Sequence, residues 1–277
     1  MRLLANAAAA RAYLSRDVPL WAWPLCTLGA REWPYVRLWV DGEPSPERDS
    51  LTGASDAAAR TALRDGVEAG LWVFDHPGWG GGVQAFGDVS ALERMLRSVA
   101  LPSRAFVRIL PPAERLLTAR YRFEWLEPIV RMHVTPGELR MPPQAEEVVS
   151  LDQRDAGALA ALYAIWPESR FQASRLRMGY RYVGIRDGER LVAVAEHVLG
   201  PPRDGLSVVQ GVLVDPAWRG RGLAGAVTAA LTRQLMADGA QDVVLDVRES
   251  NIPALAAYTR IGYRRHATLL AGPGAAR

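Results

Sequence analysis

The stretch from Tyr182 to Leu199, YVGIRDGERLVAVAEHVL, limits the folds open to this chain more than any other. Two runs rich in β-branched and aliphatic residues flank Asp187 and Gly188, a dipeptide that supplies the positive φ of a tight hairpin turn. An antiparallel pair is predicted there. A third apolar strand is predicted over Leu206 to Val214, a helix over Leu223 to Ala237, a strand over Asp242 to Val247, a helix over Ile252 to Arg260 and a last strand over Tyr263 to Leu270. Upstream, Val148 to Leu151 reads as a short strand. Arg154 to Ile165 reads as a helix with Leu159, Leu162 and Tyr163 at helical spacing, ended by Pro167, and Gln172 to Met178 as a second helix. The fold class is α+β: a mixed, mostly antiparallel sheet flanked by helices.

Pro142 and Pro143, within Glu138 to Glu147, separate this pattern from an earlier one, so two domains are expected, residues 1–140 and 145–277. In the first, Tyr35 to Val40, Leu71 to Phe74, Ala105 to Leu110 and Ile129 to Val134 read as strands. Asp56 to Glu68, Ser90 to Val99 and Pro112 to Tyr121 read as helices. This is a smaller α+β domain. Six of the nine tryptophans (Trp21, Trp23, Trp33, Trp39, Trp72 and Trp79) lie in it, where aromatic residues mostly fill core. HPGWGGG, residues 76–82, has no basic residue or helix start close behind it and reads as a flexible turn.

Several function classes drop out. All 33 basic residues are arginine, so lysine Schiff-base chemistry is excluded. The net charge of +3 is spread along the chain, which does not suit nucleic acid. No run of eighteen apolar residues is present to span a membrane, and the Ala7 to Ala10 run lacks a signal-peptide core, so a cytoplasmic protein is expected. With one cysteine, Cys26, and four scattered histidines, no metal is expected.

Residues 215 to 226, DPAWRGRGLAGA, place two arginines and two glycines just before the predicted helix. A helix start leaves backbone N–H groups without partners and carries about half a positive charge. Gly220 and Gly222 permit left-handed turns that aim successive N–H groups into one concavity, and Arg219 and Arg221 add guanidinium donors. That is pyrophosphate-binding chemistry. A nucleotide P-loop is excluded by the missing lysine.

The segment Arg219, Gly220, Arg221, Gly222, Leu223, Ala224 resembles the [QR]-x-x-G-x-[GA] acyl-CoA cradle of the GNAT superfamily of N-acyltransferases. NIPALAAYTRIGY is similar to that family's second motif, with Asn251, Ala254, Tyr258, Gly262 and Tyr263 at matching positions. Asn251 also suits a helix N-cap and Gly262 a C-cap. The resemblance runs over residues 148–270. By resemblance to acyltransferases with two related halves, the first 140 residues are expected to be a degenerate copy.

The resemblance implies transfer of an acetyl group from acetyl-CoA, released as CoA, to a primary amine of a small molecule. It assigns the cofactor to Val212, Leu213 and Val214 of a splayed strand, to residues 219–224 and to Asn251, and makes Tyr258 the general acid. A tyrosine packed under the sheet is the other reading of Tyr258. For the base, Glu196 stands first and His197 second; strand alternation sends them to opposite faces, and either could be structural. The chain would act as a monomer or homodimer, without nucleic acid or membrane partners. The alternative is a non-catalytic acyl-CoA sensor or interaction protein.

Overall fold

The computed structural model describes residues 1–29, 31–42, 67–77, 80–166, 171–197 and 205–277. They pack as two compact units, one of Met1–Arg131, Arg248–Ser250 and Arg265–Arg277, the other of Met132–Val247 and Asn251–Arg264. Most of the expected Asp56 to Glu68 helix lies outside the described residues, and its last two positions open a strand. Trp79 and the hairpin's last residues, 198 and 199, also lie outside them.

In chain order the first unit is built from β1 (Arg2–Leu3), α1 (Ala7–Leu14), α2 (Ala22–Cys26), β2 (Val36–Gly42), β3 (Val67–His76), β4 (Gly80–Gly87), α3 (Val89–Ser98), β5 (Arg104–Ile109), α4 (Glu114–Thr118) and β6 (Tyr121–Phe123). Strand β7 (Glu127–Val134) follows, and its last three residues belong to the second unit. The second unit continues with β8 (Val149–Leu151), α5 (Ala156–Tyr163), α6 (Ser174–Arg177), β9 (Arg181–Asp187), β10 (Arg190–His197), β11 (Leu206–Val214), α7 (Leu223–Ala237), β12 (Asp242–Arg248) and α8 (Ile252–Arg260). The closing strand β13 (Arg264–Ala276) returns to the first.

The two units repeat one strand plan. In the first, β2, β3 and β4 run antiparallel and β4 pairs β5 in parallel across the α3 crossover. In the second, β8 to β11 run antiparallel and β11 pairs β12 in parallel across α7. Parallel neighbours require such a crossover, and a helix covering the sheet provides it. Helix α3 buries Ala91, Leu92, Met95 and Leu96 against the first sheet. Tryptophans fill that unit as expected: Trp21 meets Phe86 edge-on at 4.9 Å, and Trp72 stacks on Phe74 at 5.9 Å.

Glycines account for the differences from expectation. HPGWGGG is no free turn: Gly80 to Gly82 open β4. A Cβ on Gly81 would lie 2.2 Å from the Arg104 carbonyl oxygen, and one on Gly82 2.8 Å from the Trp72 ring, so close packing requires glycine at both. Strand β13 runs on through Gly272-Pro273-Gly274, a tripeptide that reads as a breaker, because a Cβ on Gly272 would lie 1.9 Å from the Trp125 carbonyl oxygen. Pro273 pairs with Phe106 of β5, which ties the C-terminal strand to the first unit. The hairpin loop is Gly188 and Glu189, one residue later than expected, with Asp187 paired to Arg190 and Gly188 at φ +58°.

The diproline segment packs as structure too. Pro143–Glu147 forms a 3₁₀ turn with Ala145 2% exposed, and the Arg140 N–H donates to the Ile261 carbonyl at 3.0 Å. The division between units falls at residue 131, upstream of it. Helix α5 has only eight residues, too few to hold in water by hydrogen bonding alone. Burial of Leu159, Leu162 and Tyr163, about 1.5–3 kcal/mol for each aliphatic side chain, fixes it instead.

Candidate acyl-CoA site

The second unit's parallel pair is short. Strands β11 and β12 pair only over Leu206↔Asp242, Ser207↔Val243 and Val208↔Val244, although β11 continues to Val214 and β12 to Arg248. Beyond Val208 they part. On its other edge β11 stays with β10, Ala193 opposite Val214 and Val194 opposite Leu213, and the Asp215 N–H donates to the Val192 carbonyl at 2.9 Å. Strand alternation then turns the Val214 N–H, and the Val212 N–H two residues earlier, toward the opened side. Val212, Leu213 and Val214 are all partly exposed, unlike the buried start of the strand.

The loop after β11 is anchored by Asp215, 3% exposed, which accepts from the Ala217 N–H at 2.9 Å and pairs with Arg190. Gly220 at φ +77° and Gly222 at φ +80° are left-handed. The open space at Gly220 shows that φ rather than crowding selects glycine there. Gly222 is the N-cap of α7, whose start has no side-chain cap. The Ala226 N–H reaches the Gly222 carbonyl, while the N–H groups of 220 to 225 form no bond among the described residues. Arg219 and Arg221 are exposed, form no ion pair among the described residues, and stack over Trp166 at 5.7 Å and Trp218 at 4.4 Å. Leu223 is buried and Ala224 partly so, as a first helical turn lying on the sheet requires.

Helix α8 lies against that first turn: a Cβ on Gly225 would be 3.5 Å from Ile261 and 3.7 Å from the Ala257 carbonyl oxygen. The next residue on α8, Tyr258, is 6% exposed, and burial pushes its phenol above the ordinary range. Its hydroxyl forms no hydrogen bond among the described residues. Asn251 caps α8, its Oδ1 accepting from the Ala254 N–H at 3.2 Å, so the cap reading applies to that oxygen. Gly262, at φ +103°, ends the helix where a Cβ would meet the Glu138 carbonyl oxygen at 2.1 Å.

Glu196 and His197 do face opposite ways. Glu196 is 1% exposed and accepts from Tyr163 at 3.0 Å, Arg175 at 3.0 Å and Gln210 at 3.1 Å. Three of its roughly four acceptor positions are engaged. That occupancy corrects the expectation of a carboxylate open to an incoming amine or water. Burial, then the Glu196 charge, keeps the Tyr163 phenol protonated as a donor.

His197 is 2% exposed, and burial, with help from Arg181, lowers its pKa to about 4. So weak and enclosed a base does not suit the second assignment either. Its folded pKa lies below the unfolded value near 6.5, so between those values the unfolded chain binds the extra proton. Stability is complete above about pH 6.5 and falls as pH drops toward 4. Chemical denaturation at pH 7 and pH 4 should show a loss of about 3 kcal/mol from this residue, a component absent from His197→Gln.

Sequence reading missed Gln144, which sits 3.7 Å from the Cβ position of Gly222, and the Tyr163, Arg175 and Gln210 partners of Glu196. Gly211, at φ +58°, was legible in principle, since an isolated glycine inside a strand signals a bulge. Glu168 lies outside the described residues. No helix among them is long and apolar enough to cross a membrane.

Residues 182–270 match the family model described as FR47-like protein. A mycothiol acetyltransferase of Amycolatopsis mediterranei (strain U-32) is 46% identical over 55 residues, 20% of this chain. The match spans only 18% of that relative's length. Among solved structures, a putative GNAT-family acetyltransferase of Novosphingobium aromaticivorans is 22% identical with a TM-score of 0.52, over 70% of this chain and 84% of that one. The X-ray structure of a Drosophila protein is 14% identical with a TM-score of 0.64, over 99% of this chain and 97% of that one. At these identities the two structures speak for the fold alone.

Proposed function

With residues 182–270 forming a GNAT-type domain, we propose that this chain is an N-acetyltransferase that moves an acetyl group from acetyl-CoA to a primary amine, most simply that of a small molecule. The observation that carries this reading is a coincidence in one unit: β11 leaves β12 beyond Val208, and the six N–H groups of 220 to 225 form no bond among the described residues at the start of α7. The donor set fits coenzyme A. Helix N-terminal amides and two exposed guanidiniums, none of them paired among the described residues, suit a diphosphate, and strand groups at Val212 and Val214 suit the amide-bearing arm.

Acetyl-CoA, when bound, supplies a thioester carbonyl for an amine to attack and a thiolate to leave. Residues 219 to 224 hold the diphosphate. The Val212 N–H, directed to the opened side of β11, stabilises negative charge developing on the carbonyl oxygen. Tyr258 keeps its proton at neutral pH and gives it to the departing sulfur. With the Glu196 oxygens occupied by protein donors, the amine's proton goes to solvent.

That occupancy also favours a second reading, a sensor that binds acyl-CoA without turning it over. Calorimetric titration with CoA and acetyl-CoA tests both, and saturable uptake of each is expected. Thiol release from acetyl-CoA across a panel of primary amines then separates enzyme from sensor. Absence of any uptake would end both readings.

A further inference from the structure

We propose that Glu196 is a positioning residue that sets the bulge of β11, and through it the aim of the Val212 N–H. The chemical consequence rests on the acyltransferase reading, while the structural one stands alone. Between Val194↔Leu213 and Glu196↔Gln210, two steps along β10 correspond to three along β11. The extra residue is accommodated at Gly211, the one left-handed position of that strand. A Cβ there would lie 2.8 Å from Glu196 Oε2 and 2.8 Å from the Tyr163 hydroxyl. The carboxylate and phenol are therefore packed directly onto the bulge. Oε2 is held by Tyr163 and Oε1 by Arg175 and Gln210, so one buried side chain ties α5, α6 and both strands to the kink.

The first unit supplies an internal comparison. There Trp72 of β3 lies opposite Gln84 of β4, as Glu196 of β10 lies opposite Gln210 of β11. Trp72 has no carboxylate to gather donors; its indole N–H goes to Thr27 Oγ1 at 3.2 Å, and Gln84 donates to the Leu20 carbonyl at 2.9 Å. The β3–β4 register is unbroken from Ala69↔Gly87 to His76↔Gly80, and β4 pairs β5 over five residues from Gly81 to Ala85. Only Asp88 separates β4 from α3, and its carboxylate caps that helix by accepting from the Ala91 N–H. The unit that lacks the carboxylate network has neither the bulge nor the early parting of its parallel strands.

The test compares Glu196→Gln, which keeps the acceptor oxygen and the shape, with Glu196→Ala and Gly211→Ala. Hydrogen exchange of a peptide covering 206–214 is measured in each without ligand. Thiol release from acetyl-CoA with the best amine of the panel is measured against pH. Exchange should match wild type in Glu196→Gln and be faster in the two alanine variants. Glu196→Gln should keep kcat within about threefold and the pH profile unchanged. The alanine variants should lose about a hundredfold in kcat, the scale of a reacting group misplaced by an ångström. A general base would behave differently: Glu196→Gln would fall by about 10²–10⁴ and lose the acidic limb of the profile, overturning the proposal. Wild-type exchange in both Glu196→Ala and Gly211→Ala would also overturn it. If an alanine variant unfolds, the glutamine variant's exchange and pH profile still decide. Failure of CoA uptake by the wild type would remove the enzyme reading but leave the exchange result to judge whether Glu196 sets the bulge.

Discussion

Gly222→Val should weaken binding of CoA by at least about a hundredfold while leaving the chain folded. Gly222 holds φ +80° at the start of α7, a conformation that is a genuine outlier for a β-branched residue. Relieving it rewinds the turn and redirects the N–H groups at the start of α7. A hydrogen bond to a charged group contributes about 1.5–3 kcal/mol, so losing two accounts for the expected drop. Strain alone is controlled by Gly239→Val at the other end of the same helix, where φ is +105° and no atom lies within 4 Å of the Cβ position. That variant should lose comparable stability and bind CoA as wild type does. Equal affinities for the two variants in calorimetry would show that the α7 start does not hold the diphosphate.

Tyr258→Phe should lower kcat for acyl transfer by about 10²–10⁴, the range attributed to a positioned general acid, with the Kd for CoA within about twofold of wild type. The substitution removes one oxygen from a ring that α8 already packs, and no hydrogen bond is lost among the described residues. Burial raises the phenol above its ordinary value near 10, so the protonated donor persists throughout the neutral range. The wild-type rate should therefore show no alkaline decline from this group below about pH 10. An unchanged kcat in the phenylalanine variant would return Tyr258 to the packed-tyrosine reading.

The elements of the second unit were largely legible because local signals there agree. Leu206–Val214, Leu223–Ala237 and Ile252–Arg260 have the bounds their patterns predict. Each combines one hydrophobic period with a punctuating glycine or asparagine at its end. The first unit was read less well. Gly80 to Gly82, the start of β4, read as part of a turn, and the C-terminal strand reads as stopping at Leu270 rather than Ala276. In both places glycine serves a close backbone approach, and a sequence does not distinguish that use from a turn.

The residues of the proposed cradle are legible for a simple reason. A phosphate site built from backbone amides needs consecutive residues, so the proposed chemistry lies in one short segment, Arg219 to Ala224. Side-chain networks have no such constraint. Glu196 stood out as a carboxylate in an apolar strand, yet its partners Tyr163, Arg175 and Gln210 lie 33, 21 and 14 residues away. Only packing brought them together.

The sequence thus determined the order of strands and helices in the second unit, the hairpin and the left-handed glycines before α7, because each follows from local sterics and hydrophobic period. Tertiary structure decided where β11 parts from β12, that the final strand joins the first unit, and that Glu196 is occupied by three protein donors. Those outcomes depend on contacts between segments far apart in the chain, where burial and hydrogen-bond satisfaction are settled jointly.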